Sequence, residues 1–258
     1  MAKSRIEGLH AAVRHVLCTR VSTAQTHREG LCVALQWAAI ALCANVLASL
    51  LMSHRDMDGS PSFCLKGNII CQGFVIPLCV LKAWLGKAEH QTTVAWLFGP
   101  MDAQPSSWTQ MAMLVFLAVL AKDLPWLLYY RCDLILLHHA SAGLAVCMFL
   151  SKTPMAGNMF AVSIAFIELG SMLSSVVNFY PSSKLVFMLY FYGFSASNVL
   201  GFSACIYQIF LRESVAWTAY LVILGPTILY IRQKAAMGYR TNFMTTGSIT
   251  AFPLSLME

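Results

Sequence analysis

The chain has 258 residues, of which 58% are hydrophobic and only 11% charged, and its formal net charge is +6. An ordinary soluble domain carries roughly 25% charged residues, so this composition excludes a soluble globular protein and describes an integral membrane protein. The positive excess lies mainly in the first thirty residues, where Lys3, Arg5, Arg14, Arg20 and Arg28 oppose only Glu7 and Glu29. That placement suits anionic lipid headgroups rather than nucleic acid.

Residues 1–30 read as a basic amphipathic arm, with Ile6, Leu9, Val13, Val16 and Leu17 spaced for one face of a short interfacial helix. An organelle transit peptide is the alternative, but it would be acid-poor and carry a cleavage pattern. No apolar run precedes Leu31, so the first span itself is expected to direct insertion. Because about 20 apolar residues cross the hydrocarbon core, spans are predicted at Leu31–Met52, Asn68–Leu85, Gln110–Tyr130, Leu134–Leu150, Met159–Phe179, Leu185–Leu211 and Ala216–Ile231. The expected fold is an all-α polytopic membrane helix bundle of about seven transmembrane helices. Residues 31–234 form its single domain and 235–258 a C-terminal tail. No internal repeat or low-complexity tract interrupts it.

Basic residues near the helix ends do not orient this bundle. Arg14, Arg20, Arg28, Lys82, Lys87, Lys152 and Arg212 fall on one side, and Arg55, Lys66, Arg131, Lys184, Arg232, Lys234 and Arg240 on the other. Cys32, Cys43, Cys71, Cys79, Cys147 and Cys205 lie within spans, where thiols pack as small apolar groups, and no spacing suggests a metal site. No metal or cofactor is expected.

Ionisable side chains at membrane depth cost about 2.5 to 3.5 kcal/mol each on insertion scales, which singles out Asp123, the adjacent His138 and His139, and Glu168. With ~1.5 Å of rise per residue, Asp123 lies ~11 Å and His138 ~6 to 8 Å below the surface shared by the third and fourth spans. The fifth span returns toward that surface and sets Glu168 roughly 13 Å below it in a ~30 Å core. Ser171 and Ser175 share the face of Glu168 at i+3 and i+7. Three successive helices therefore aim polar groups at one layer. A buried network that only fixes helix packing is the competing explanation: adjacent helical residues point about 100° apart, and Asp123 has Lys122 beside it.

The segment Lys122-Asp123-Leu124, then Asp133-Leu-Ile-Leu-Leu-His138-His139, and Phe166-Ile-Glu168-Leu-Gly-Ser171 in a later span resemble the TLC domain of ceramide synthases and smaller lipid-homeostasis proteins. The resemblance covers roughly residues 31 to 234. The chain departs from the ceramide-synthase pattern in lacking an Asp-x-x-Asp pair after the histidines, and Asn198 stands near where a basic residue often occurs. It is therefore closer to the small lipid-homeostasis branch.

The resemblance implies a protein of the endoplasmic reticulum or plasma membrane that binds or modifies a lipid. In such an enzyme His138 or His139 would act as acid/base or nucleophile, with Asp123 or Asp133 fixing its tautomer. Glu168, Ser171, Ser175 and Asn198 would form the lipid-binding layer. Acyl-CoA is a candidate substrate if the protein is an N-acyltransferase. Expected partners are membrane lipids and, in a homo-oligomer, further copies of the chain. A transporter or lipid carrier is the alternative class, but Pro77, Pro125 and Pro226 do not form matched interruptions in two halves. A retinal protein or receptor is disfavoured because Lys234 lies past the last predicted span.

Overall fold

The computed structural model describes residues 62–89, 91–98, 106–129, 133–150, 157–211 and 214–249. The basic arm and the expected span Leu31–Met52 lie outside these residues. The described chain is helical and contains no strand. A first rod comprises α1 (Ser62–Ile70), a π-helical turn (Cys71–Val75) and α2 (Ile76–Leu85). The short α3 (Thr93–Phe98), which the hydropathy pattern does not anticipate, leads to α4 (Ser107–Tyr129), α5 (Asp133–Leu150), α6 (Gly157–Phe179), α7 (Lys184–Leu211) and α8 (Val215–Thr246).

Six helical stretches among the described residues are long and apolar enough to cross a membrane. Their outward faces carry Phe74, Leu78, Leu189, Val199, Phe210 and Ile223, all exposed. A helix apolar on every side belongs in lipid, because no water-facing polar stripe exists. The protein is an integral, multi-pass membrane protein of the all-α class.

The centre of the bundle is α6, which buries Phe160, Ile164, Ile167 and Glu168. It packs most closely on α7, and small residues set the distance. A Cβ on Gly170 would stand 3.3 Å from the Phe194 Cα, and one on Gly201 would stand 3.0 Å from the Ser163 carbonyl. Without hydrophobic force between helices in lipid, such close backbone approach is what holds a pair together. Gly73 does the same for the π turn: a Cβ there would lie 2.8 Å from Met172 Cγ.

Buried hydrogen bonds tie the first turns of α8 into the bundle. Trp217 Nε1–H donates to Gln208 Oε1 at 2.9 Å, and the Tyr220 hydroxyl donates to the Ser141 carbonyl of α5 at 3.0 Å. Helix α8 starts on Ser214, whose Oγ accepts from the Trp217 N–H. It ends at Gly247, in the left-handed conformation at φ 70°. The last predicted span was expected to stop at Ile231, but the helix continues to Thr246. The buried face explains this: Ile228, Ile231, Arg232, Ala236 and Tyr239 are all buried and fall at i, i+3, i+4, i+8 and i+11, so helical periodicity persists through the charges.

Candidate functional site

A polar cavity of about 200 Å³ lies where α1, the π turn, α4, α5, α6, α7 and α8 converge. Asp123, His138, His139 and Glu168 all line it, as the depth argument expects. The two imidazoles do different things. His139 Nδ1–H donates to the Ile135 carbonyl at 3.0 Å, while its Nε2 faces Asp123 Oδ2 at 3.5 Å, beyond ordinary hydrogen-bond length. Asp123 also pairs with Lys122. His138 Nδ1 is buried with no partner, and its ring meets that of His139 edge-on at 5.6 Å.

Glu168 is only 3% exposed. Its Oε1 receives a long contact of 3.5 Å from the Ser171 hydroxyl, and its Oε2 has no partner. Beside it lies Arg232 of α8, 6% exposed. The guanidinium donates from Nε to Asn198 Oδ1 at 2.7 Å, from Nη1 to Ser171 Oγ at 3.2 Å and from Nη2 to the Ile167 carbonyl at 3.1 Å. It also stacks over Phe194, with the carbon at 4.6 Å from the ring centroid. A charge held this way needs both counter-charge and hydrogen bonds, and Glu168 supplies the former.

A second cavity, of about 360 Å³, adjoins the first. His138 and Glu168 line both, and the rest of the second wall is apolar, including Phe116, Phe160, Ile164, Phe202 and Leu221. Its lining also takes in Ile206 of α7 and Val222 of α8, which are 51% and 55% exposed. The apolar cavity thus reaches the outer face of the bundle between α7 and α8. At that point Pro226 lacks the N–H that would bond the Val222 carbonyl, so α8 is locally loosened.

Of the residues expected to act, Ser171 and Ser175 line the polar cavity and Asn198 stands behind it as the partner of Arg232. Asp133 does not join them. It is exposed in the first turn of α5 and lines neither cavity, a position where a carboxylate complements the helix N-terminus. The catalytic orienting role expected of Asp133 therefore has no geometry to support it; among the described residues Asp123 is the carboxylate that faces an imidazole, that of His139 at 3.5 Å.

Three polar residues of this cavity escape a reading by span. Arg232 falls among the flanking basic residues because the last span is predicted to end at Ile231; the signal it offers is its place on the buried face of α8. Gln72 and Asn68 enter through the first rod, where the π turn re-aims side chains relative to a regular helix. Among the described residues, no group of three or more His, Cys, Asp or Glu side chains is placed to hold a metal ion. Fold and site together define a multi-pass helical membrane protein with a buried charged layer. No family model, curated protein or solved structure matches the chain.

Proposed function

We propose that this chain is a TLC-like lipid protein that binds or modifies a membrane lipid, headgroup in the polar cavity and acyl chain in the apolar one. The observation that carries this reading is the junction of the two cavities at His138 and Glu168. A ligand that fills both must be polar at one end and apolar along the rest. A network serving only helix packing has no use for an adjoining apolar cavity, nor for a histidine nitrogen without a partner at its mouth. Access between α7 and α8 supports the same reading, since a lipid arrives from the bilayer sideways.

The unpartnered Nδ1 of His138 favours chemistry over storage as the finer version. A neutral imidazole at the headgroup boundary takes a proton from a nucleophilic hydroxyl or amine, or attacks an acyl thioester. Glu168 then faces the positive charge that develops on the ring. Acyl transfer between lipids, within lipid homeostasis at the endoplasmic reticulum or plasma membrane, is the implied activity.

The test uses purified protein with acyl-CoA and lipid acceptors, alongside mass analysis of co-purified lipid. Acyl transfer that falls about 10² or more in rate in His138→Ala identifies the enzyme. Co-purified lipid lost in Glu168→Ala and in Val222→Trp, which plugs the opening, with no turnover, identifies a binding protein. A protein that retains no lipid and transfers no acyl group would falsify the proposal.

A further inference from the structure

We infer that the polar cavity takes an uncharged lipid headgroup bearing hydroxyls, in preference to a phosphate or an amine; this rests on the reading of the cavity pair as a lipid site. Two independent observations lead there. The first is the hydrogen-bond inventory of the cavity wall. Asn68 Oδ1, Gln72 Oε1 and Glu168 Oε2 are buried without a partner, and all three residues line the cavity. Each of these oxygens can only accept. Arg232, the strongest donor present, already has three of its N–H groups committed to Asn198, Ser171 and Ile167. The buried oxygens left unsatisfied in this wall are therefore acceptors, and a ligand that satisfies them must bring donors.

The second observation is the charge balance. The ionised groups around the cavity are Asp123, paired with Lys122, and Glu168, set beside Arg232. The formal charges of these two acids and two bases cancel. A phosphate would bring oxygen atoms against three acceptors and leave a negative charge uncompensated in a low-dielectric site. An ammonium would satisfy the acceptors but leave a positive charge uncompensated. A glycerol or sugar hydroxyl supplies donors and adds no charge, so it alone answers both.

The test compares three single-chain lipids with the same oleoyl or oleyl tail: monooleoylglycerol, oleoyl lysophosphatidate and oleylamine. Binding to the full-length protein in nanodiscs is measured by competition against radiolabelled monooleoylglycerol. Monooleoylglycerol is expected to bind at least tenfold more tightly than either charged lipid. Asn68→Leu and Gln72→Leu each remove one acceptor and should weaken it about three- to tenfold. Glu168→Gln removes the balancing negative charge and should raise lysophosphatidate affinity at least tenfold relative to the neutral lipid, a gain that misfolding cannot mimic. Leu189→Trp, on the exposed face of α7, should change nothing. Tightest binding by lysophosphatidate or by oleylamine overturns the headgroup inference and leaves the lipid-site reading intact. Absence of binding by all three overturns both.

Discussion

Arg232 joins three helices through one planar group, because its fork meets acceptors on α6 and α7 while its stem belongs to α8. Lysine offers a point charge without that fork, so Arg232→Lys should fail to restore what Arg232→Met loses. Hydrogen bonds to a charged group contribute roughly 1.5 to 3 kcal/mol; Arg232→Met, which strips Asn198, Ser171 and the Ile167 carbonyl of their donor, should lose about that much in unfolding of the purified protein, with Arg232→Lys recovering less than half. The two histidines should separate differently. His139 is anchored to Ile135 and faces Asp123, whereas His138 has an unpartnered nitrogen at the junction. His139→Ala should therefore lower the unfolding midpoint by the equivalent of about 1 kcal/mol. His138→Ala should leave the midpoint nearly unchanged yet abolish lipid binding or turnover. The reverse pattern, stability lost with His138 and function lost only with His139, would reassign the reactive nitrogen.

Helix pairing rests on glycine contacts whose consequences can be read from what a Cβ would meet. At Gly201 a new side chain collides with the Ile167 side chain and the Ser163 carbonyl, and at Gly170 with the Ser197 side chain and the Phe194 backbone. Overpacking of this kind costs typically 1 to 3 kcal/mol. Gly201→Val and Gly170→Val should lower the unfolding midpoint accordingly. Gly143 of α5 has nothing within 4 Å, so Gly143→Ala should instead be neutral or gain about 0.5 to 1 kcal/mol. The contrast between the close-packed glycines of α6 and α7 and the open one of α5 is the check, made by thermal unfolding in one detergent. The spans themselves were legible because apolar length is a property of a single segment: α5 and α6 begin within two residues of their expected starts. The π turn was not legible, since Cys71–Val75 differs from its neighbours only in hydrogen-bond register, which tertiary contact with α6 decides. The end of α8 was missed for a related reason. Charge at Arg232 and Lys234 signals a membrane boundary by composition, while the buried face running to Tyr239 signals continuation by period, and the period prevails.

The polar site is a product of the whole bundle rather than of any segment, and its parts differ in how far sequence could place them. Depth alone brought Asp123, the histidines and Glu168 into one layer, because rise per residue and core thickness are fixed quantities. It could not bring in α8, whose contribution depends on how a helix of about 48 Å is set against a core of about 30 Å. That surplus length has a structural use. The final turns of α8 carry Ala235 and Tyr239 into the polar cavity wall. Tyr239 meets Tyr190 edge-on at 5.3 Å, and Phe243 stacks on Phe187 at 4.2 Å. The chain then doubles back so that the Ile249 N–H donates to the Pro181 carbonyl at 3.0 Å, with the Ile249 side chain fully buried beside Val177. Residues beyond 234 thus close one end of the cavity and clamp the turn between α6 and α7. Leu/Ile→Ala changes in a core cost about 2 to 5 kcal/mol, so Ile249→Ala, although far from Glu168 along the chain, should destabilise the protein within that range. Truncation after Lys234 should go further: it removes Tyr239 and Phe243, uncovers Tyr190, and opens the polar cavity to water. Retained lipid and Tm measured on both variants decide the point. Wild-type values after truncation would show that the last turns of α8 are dispensable to the site, whereas loss of lipid in the truncated chain with partial retention in Ile249→Ala is the outcome that the packing dictates.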